Sequence, residues 1–168
     1  MKWFAPVALA LACTTTTPRT TSPSTTPGAR APSRHAAGEI VDANVPLPDG
    51  GVLGLAELRG KLVVLELVDT ARRDPAVEAD YACVLDEAPG RVEIVMVSLD
   101  AEGWAGDVPP FRLGWDPQGA LAARLLVASV PTVMLLDRNG RVAAQYSGGR
   151  APGHADLLST LRASLSSR

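Results

Sequence analysis

Seven consecutive residues, Leu62-Val63-Val64-Leu65-Glu66-Leu67-Val68, carry a single polar side chain between them. A run this short, this apolar and this rich in β-branched residues suits a strand covered on both faces, as in a central sheet with parallel pairing. Such a strand needs helices on either side of it, and the downstream pattern supplies them. Asp74-Pro75 reads as a helix start, with Asp as N-cap and Pro at the first helical position. That helix runs to about Glu87, ahead of Pro89-Gly90. Val92–Leu99 is a second strand, followed by a Gly/Pro-rich loop from Ala101 to about Pro117 and a helix over 118–126. Val130–Leu136 is a third strand beginning at a proline, and Asp137-Arg138-Asn139-Gly140 is a hairpin turn whose Asn-Gly supplies positive φ. Arg141–Tyr146 pairs back, and an amphipathic helix over 155–165 closes the chain. Upstream, Asp49-Gly50-Gly51 turns a short N-terminal hairpin. The order β-β-β-α-β-α-β-β-α describes an α/β sandwich, a mixed central sheet flanked by helices with a hairpin extension in front.

Composition narrows the chemistry. The chain has 168 residues, enough for one compact domain, and its 46% hydrophobic content can fill a core. A net charge of −2, with two Phe and two Tyr, offers neither a basic stripe nor stacking platforms, so nucleic acid is not an expected partner. The two cysteines, Cys13 and Cys83, and the two histidines, His35 and His154, show no metal-ligand spacing, and neither histidine falls within an apolar segment. No metal, no cofactor and no histidine-based triad is expected.

The N-terminus reads as an address. Residues 1–12, MKWFAPVALALA, place one positive charge before an apolar run that ends in small residues, as an export signal does. The run is too short to span a bilayer as a helix, which takes ~20 residues. The string Ala10-Leu11-Ala12-Cys13 resembles a bacterial lipobox, with Ala10 and Leu11 in swapped order. That resemblance implies an acylated Cys13, and the other reading is an ordinary cleaved secretory signal. Thr14 is not the Asp that retains enteric lipoproteins at the inner membrane, so the expected place is the periplasmic face of the outer membrane. Residues 13–38 are dominated by Thr, Pro, Ser and Ala, too polar to offset the entropy of ordering, and read as an extended disordered tether. The folded domain is expected over 39–168.

Three stretches of that domain resemble the thioredoxin superfamily, in its exported, membrane-tethered TlpA-like branch. Leu58-Arg59-Gly60-Lys61-Leu62-Val63-Val64 is similar to the family's entry into its central strand. Trp115-Asp116-Pro117-Gln118-Gly119-Ala120-Leu121-Ala122 is similar to a helix start, and Val130–Val142 to the proline-led strand and hairpin, the most specific of the three. The resemblance implies a thioredoxin-like sandwich, a cis peptide bond before Pro131, and a Cys-x-x-Cys pair at the helix start after the central strand. In that register this sequence has Leu67-Val68-Asp69-Thr70-Ala71-Arg72-Arg73-Asp74-Pro75, so Arg72 and Pro75 stand where the cysteines belong. A peroxiredoxin register gives Thr70-Ala71-Arg72-Arg73, again without a thiol. Disulfide exchange and peroxide attack both need a thiolate. No catalytic residue is therefore expected.

What remains at the site is a rim. The backbone before Pro131 can pair with an extended peptide by strand addition, which needs no thiol. Arg72, Arg73, Asp74, Val130 and Pro131 are the candidate groove residues for an envelope protein or an extended peptide, the plain alternative being a turn that only shapes the fold. Arg72 and Arg73 beside free helix N–H groups also suit an anion, or else a solvated pair offset by Asp69 and Asp74. Glu66 sits where the family buries a carboxylate, and burial raises the pKa of such a group. Cys83 falls on the helix face opposite Val77, Tyr81, Val84 and Leu85, beside Asp80 and Glu87, and reads as structural. Trp104 and Trp115 bracket the loop and are expected to cap the sheet edge. The alternative to a binding domain is a thiol-disulfide oxidoreductase or peroxiredoxin-like protein of the TlpA-like type, working through Cys83 or a partner's cysteines.

Overall fold

The structure is a computed structural model and describes residues 35–147 and 153–167. The signal, Cys13 and most of the tether lie outside these residues. Strand β3 (Leu62–Val68) is buried at all seven positions and sits in the middle of a five-stranded sheet. Strand β4 (Val92–Ser98) pairs with it in parallel and β6 (Thr132–Leu136) antiparallel. Strand β5 (Arg112–Trp115) pairs in parallel with β4, and β7 (Val142–Ser147) antiparallel with β6, giving the order β5-β4-β3-β6-β7. The sheet is mixed, as expected, because a helix links β3 to β4 while the Asp137–Gly140 turn links β6 to β7.

Alternation along β3 sorts the core into two layers. Val63, Leu65 and Leu67 face Val95, Val97, Met134 and Leu136 on one side, where strands β1 (Asn44–Pro46) and β2 (Val52–Gly54) and the short helix α2 (Ala120–Arg124) cover them. Leu62, Val64 and Val68 face the other side, under helices α1 (Pro75–Glu87) and α3 (Gly153–Ser166), with Tyr81, Val84, Leu157 and Leu161. Glu66 shares this second face with Val64 and Val68.

Three features differ from the sequence reading. The expected loop from Ala101 to Pro117 contains β5, whose four residues are too few and too glycine-marked to show a period. Its Gly114 lies so close to β1 that an added Cβ would stand 2.5 Å from Val45 Cγ1 and 3.2 Å from the Pro46 carbonyl, so the strand passes under the hairpin only as glycine. Helix α2 is shorter than 118–126. Leu126 turns to φ +54, and the amides of Leu126 and Val127 bond back to the carbonyls of Ala123 and Ala122, which closes the helix as a Schellman motif. The ordered domain also begins before residue 39. His35 is buried and its Nε2 stands 2.8 Å from the Leu125 carbonyl; a carbonyl only accepts, so Nε2 donates. Gly38 N–H donates to Val142 O at 2.8 Å, which ties residues 35–38 to the sheet edge.

Candidate functional site

The site lies where β3 ends and α1 begins. Asp69 caps a 3₁₀ turn over Thr70–Arg72 by accepting from the Ala71 amide, and Asp74 then caps α1 by accepting from the Ala76 amide, with Pro75 at the first helical position. Arg72 therefore closes one turn and Pro75 opens the next, so both stand at the mouth of the helix. On the far side of this mouth, the Val130–Pro131 bond is cis and both residues are half-buried. The loop before it is held by Thr132, whose hydroxyl lies 2.6 Å from the Ser129 carbonyl and 2.9 Å from Ser147 Oγ.

The two arginines are used differently. Arg73 folds inward, with its side chain 14% exposed, and makes a two-pronged bond to Glu78, Nε to Oε1 at 2.7 Å and Nη2 to Oε2 at 2.9 Å. Its Nη1 donates to the Asp107 carbonyl at 2.7 Å, and the guanidinium lies 5.7 Å from the centre of the Trp104 ring. Glu78 holds the Arg73 charge firmly, and it is spent on the protein itself. Arg72 points outward, with its side chain 61% exposed. Its Nη1 donates to the Val130 carbonyl at 2.9 Å, and its Nε stands 3.7 Å from Asp69 Oδ2. The turn and the proline loop are thus joined by one hydrogen bond between residues 58 positions apart.

Behind this surface Glu66 is buried on the α1 side of the sheet. Burial pushes its carboxyl up to about 7; Tyr81 pulls against that, Glu78 pushes further, Arg73 pulls back and Asp74 pushes. The Tyr81 hydroxyl is raised in turn, by burial first and then by Glu66. Neither Glu66 Oε2 nor the Tyr81 hydroxyl finds a well-aligned hydrogen-bond partner among the described residues. Glu93, near the start of β4, behaves oppositely. Burial raises it, but Lys61 at 2.7 Å and Arg112 at 3.0 Å outweigh burial and hold it below the usual carboxylate range.

Cys83 is half-buried in α1, eight residues past Pro75, or about 12 Å along the axis at the usual helical rise. It does not join Arg72, Pro75 and Pro131. Tyr81 and Val84 form the buried face of α1, with Val77 and Leu85 beside them, as the periodicity predicts. Trp104 and Trp115 hold the loop before β5: their indole N–H groups donate to the carbonyls of Gly114 at 2.9 Å and Asp100 at 2.8 Å. Asp116 accepts from the amides of Ala120 and Ala122 and so starts α2. The Arg73–Asp107 and Arg72–Val130 contacts were not foreseeable, because no local pattern marks a bond between an arginine and a distant carbonyl. His154, expected outside the apolar part of the domain, packs edge-on against Tyr81 and bonds Asp80 at 3.0 Å.

No family model matches the sequence, and no curated protein matches it. Solved structures do. A candidate thiol:disulfide interchange protein DsbE from Chlorobium tepidum is 26% identical with a TM-score of 0.65, over 78% of this chain and 99% of that one. Peroxidoxin BcpB from Mycobacterium tuberculosis is also 26% identical, with a TM-score of 0.57 over 77% of this chain and 98% of that one. The exposed lipoprotein thioredoxin Etrx1 of Streptococcus pneumoniae shares 21% identity and the fold, with a TM-score of 0.56 over 73% of this chain and 99% of that one. The described residues therefore form a thioredoxin-like fold, the fold of DsbE- and TlpA-type redoxins.

Proposed function

We propose that this chain is an exported thioredoxin-fold domain that binds an extended peptide or envelope protein and carries out no thiol chemistry. The observation that supports this reading is the helix mouth: Arg72 and Pro75 stand there in place of a dithiol, while the Val130–Pro131 loop opposite keeps its shape. The sequence holds two cysteines seventy positions apart, so no Cys-x-x-Cys pair exists anywhere in it. A thiolate at the helix mouth is what disulfide exchange requires. Backbone pairing at the proline loop requires none. Residues 1–12 would direct export, an acylated Cys13 would anchor the chain to a membrane, and the Thr/Pro-rich residues up to about 34 would hold the domain away from it. No described helix is long and apolar enough to cross a membrane.

The test is a heteronuclear NMR titration of the full chain with a mixture of extended peptides. The expected result is shift changes confined to Arg72–Asp74 and to the residues flanking Pro131. Changes spread evenly over the surface, or none at all, would remove the groove. Processing that is sensitive to globomycin, with labelled palmitate on Cys13, is expected for the anchor; a soluble unlabelled product would leave only the secretory signal.

A second reading, a redoxin working through Cys83, draws on the identity shared with the DsbE candidate and the peroxidoxin. Cys83 lies two turns along α1 from the helix mouth, which is why the binding reading is preferred.

A further inference from the structure

Resting on the peptide-binding reading, we infer that Arg72 is the specificity residue of this groove and that it selects extended peptides carrying an acidic side chain opposite it. An incoming strand needs the Val130 carbonyl as an acceptor for its own N–H. Arg72 Nη1 already occupies that carbonyl at 2.9 Å. A peptide without a carboxylate must displace this bond and offers the guanidinium nothing in return. A glutamate or aspartate side chain placed over Arg72 gives the fork a charged, two-oxygen acceptor, which draws it off Val130 and frees the carbonyl for pairing. Binding and opening then favour the same ligand.

The contrast with Arg73 shows that Arg72 has charge to offer. Arg73 is closed by Glu78, the Asp107 carbonyl and Trp104. Arg72 is 61% exposed, its bond goes to a neutral carbonyl, and its nearest carboxylate, Asp69 Oδ2, lies at 3.7 Å, while Asp69 Oδ1 is taken by the Ala71 amide.

Three fluorescein-labelled twelve-residue peptides of leucine, valine and threonine, differing only in a central glutamate, glutamine or lysine, test this by fluorescence anisotropy on the full chain. Wild type is expected to bind the glutamate peptide about tenfold more tightly than the glutamine peptide, the scale of one charge-assisted bond. Arg72→Gln is expected to erase that preference while holding the glutamine peptide at least as well, since the carbonyl is no longer covered. Arg72→Glu is expected to turn the preference to lysine. Binding of all three peptides to wild type with equal strength would overturn the inference and leave the groove standing. A glutamate preference that survives in Arg72→Gln would overturn it as well, and no binding by any peptide would overturn the groove and the inference together.

Discussion

The turn after β3 and the loop before β6 lie side by side, joined through Arg72 and Val130, and they are made of opposite materials. Between Asp69 and Glu78 the turn carries two arginines and three acids, with Glu66 buried behind them. From Val127 to Pro131 the loop has no charged side chain and offers mainly backbone. Most of the charge in the turn is consumed in holding the turn itself: Asp69 and Asp74 cap, and Glu78 closes Arg73. Only the outer arginine reaches across. The turn is tightly built by its own charges, and the loop facing it supplies backbone.

The largest effect expected from disturbing the charged side is one of pH. The folded chain keeps Glu66 protonated up to about pH 7, whereas the unfolded chain releases that proton near 4.5. Between these values the unfolded state binds fewer protons, so stability falls as pH rises, by about 3 kcal/mol in all, and is unaffected by this group below 4.5. Glu66→Gln should flatten that slope and be the more stable protein at pH 8, as urea unfolding at pH 5 and pH 8 would show; parallel slopes in the two proteins would mean that Glu66 is not held neutral. Next in size is Arg73→Ala, which strands the half-buried Glu78 and releases the loop at Asp107. A loss of about 2 kcal/mol is expected by denaturant unfolding. Asp74→Ala removes the cap of α1 and should cost about 1 kcal/mol. Smallest is Arg72→Ala, an exposed side chain, at less than about 0.5 kcal/mol. If Arg72→Ala proved as damaging as Arg73→Ala, the division between an inner structural arginine and an outer recognition arginine would collapse.

Much of this frame is legible in the sequence, and the reasons are local. The run Leu62–Val68 declares a strand covered on both faces, Asp74-Pro75 declares the start of α1, and Asn139-Gly140 declares the turn, with Gly140 at φ +74. The site is legible only in part. That the turn at Arg72 lies beside Val130 and Pro131 follows from the topology, but what Arg72 touches does not. Its partner is a backbone carbonyl, and every residue has one. Strand β5 escapes notice because four residues around a required glycine show no alternation. His35 escapes because one bond to Leu125 O, rather than any apolar pattern, draws it into the domain.

On the proposed reading the helix mouth carries out no thiol chemistry although its frame is intact. The direct test is dithiothreitol-driven reduction of insulin disulfides by the full chain, run beside Cys83→Ser and the double variant Arg72→Cys/Pro75→Cys. Background rates are expected for wild type and Cys83→Ser, and measurable turnover for the double variant. Turnover by wild type that disappears in Cys83→Ser would overturn that reading.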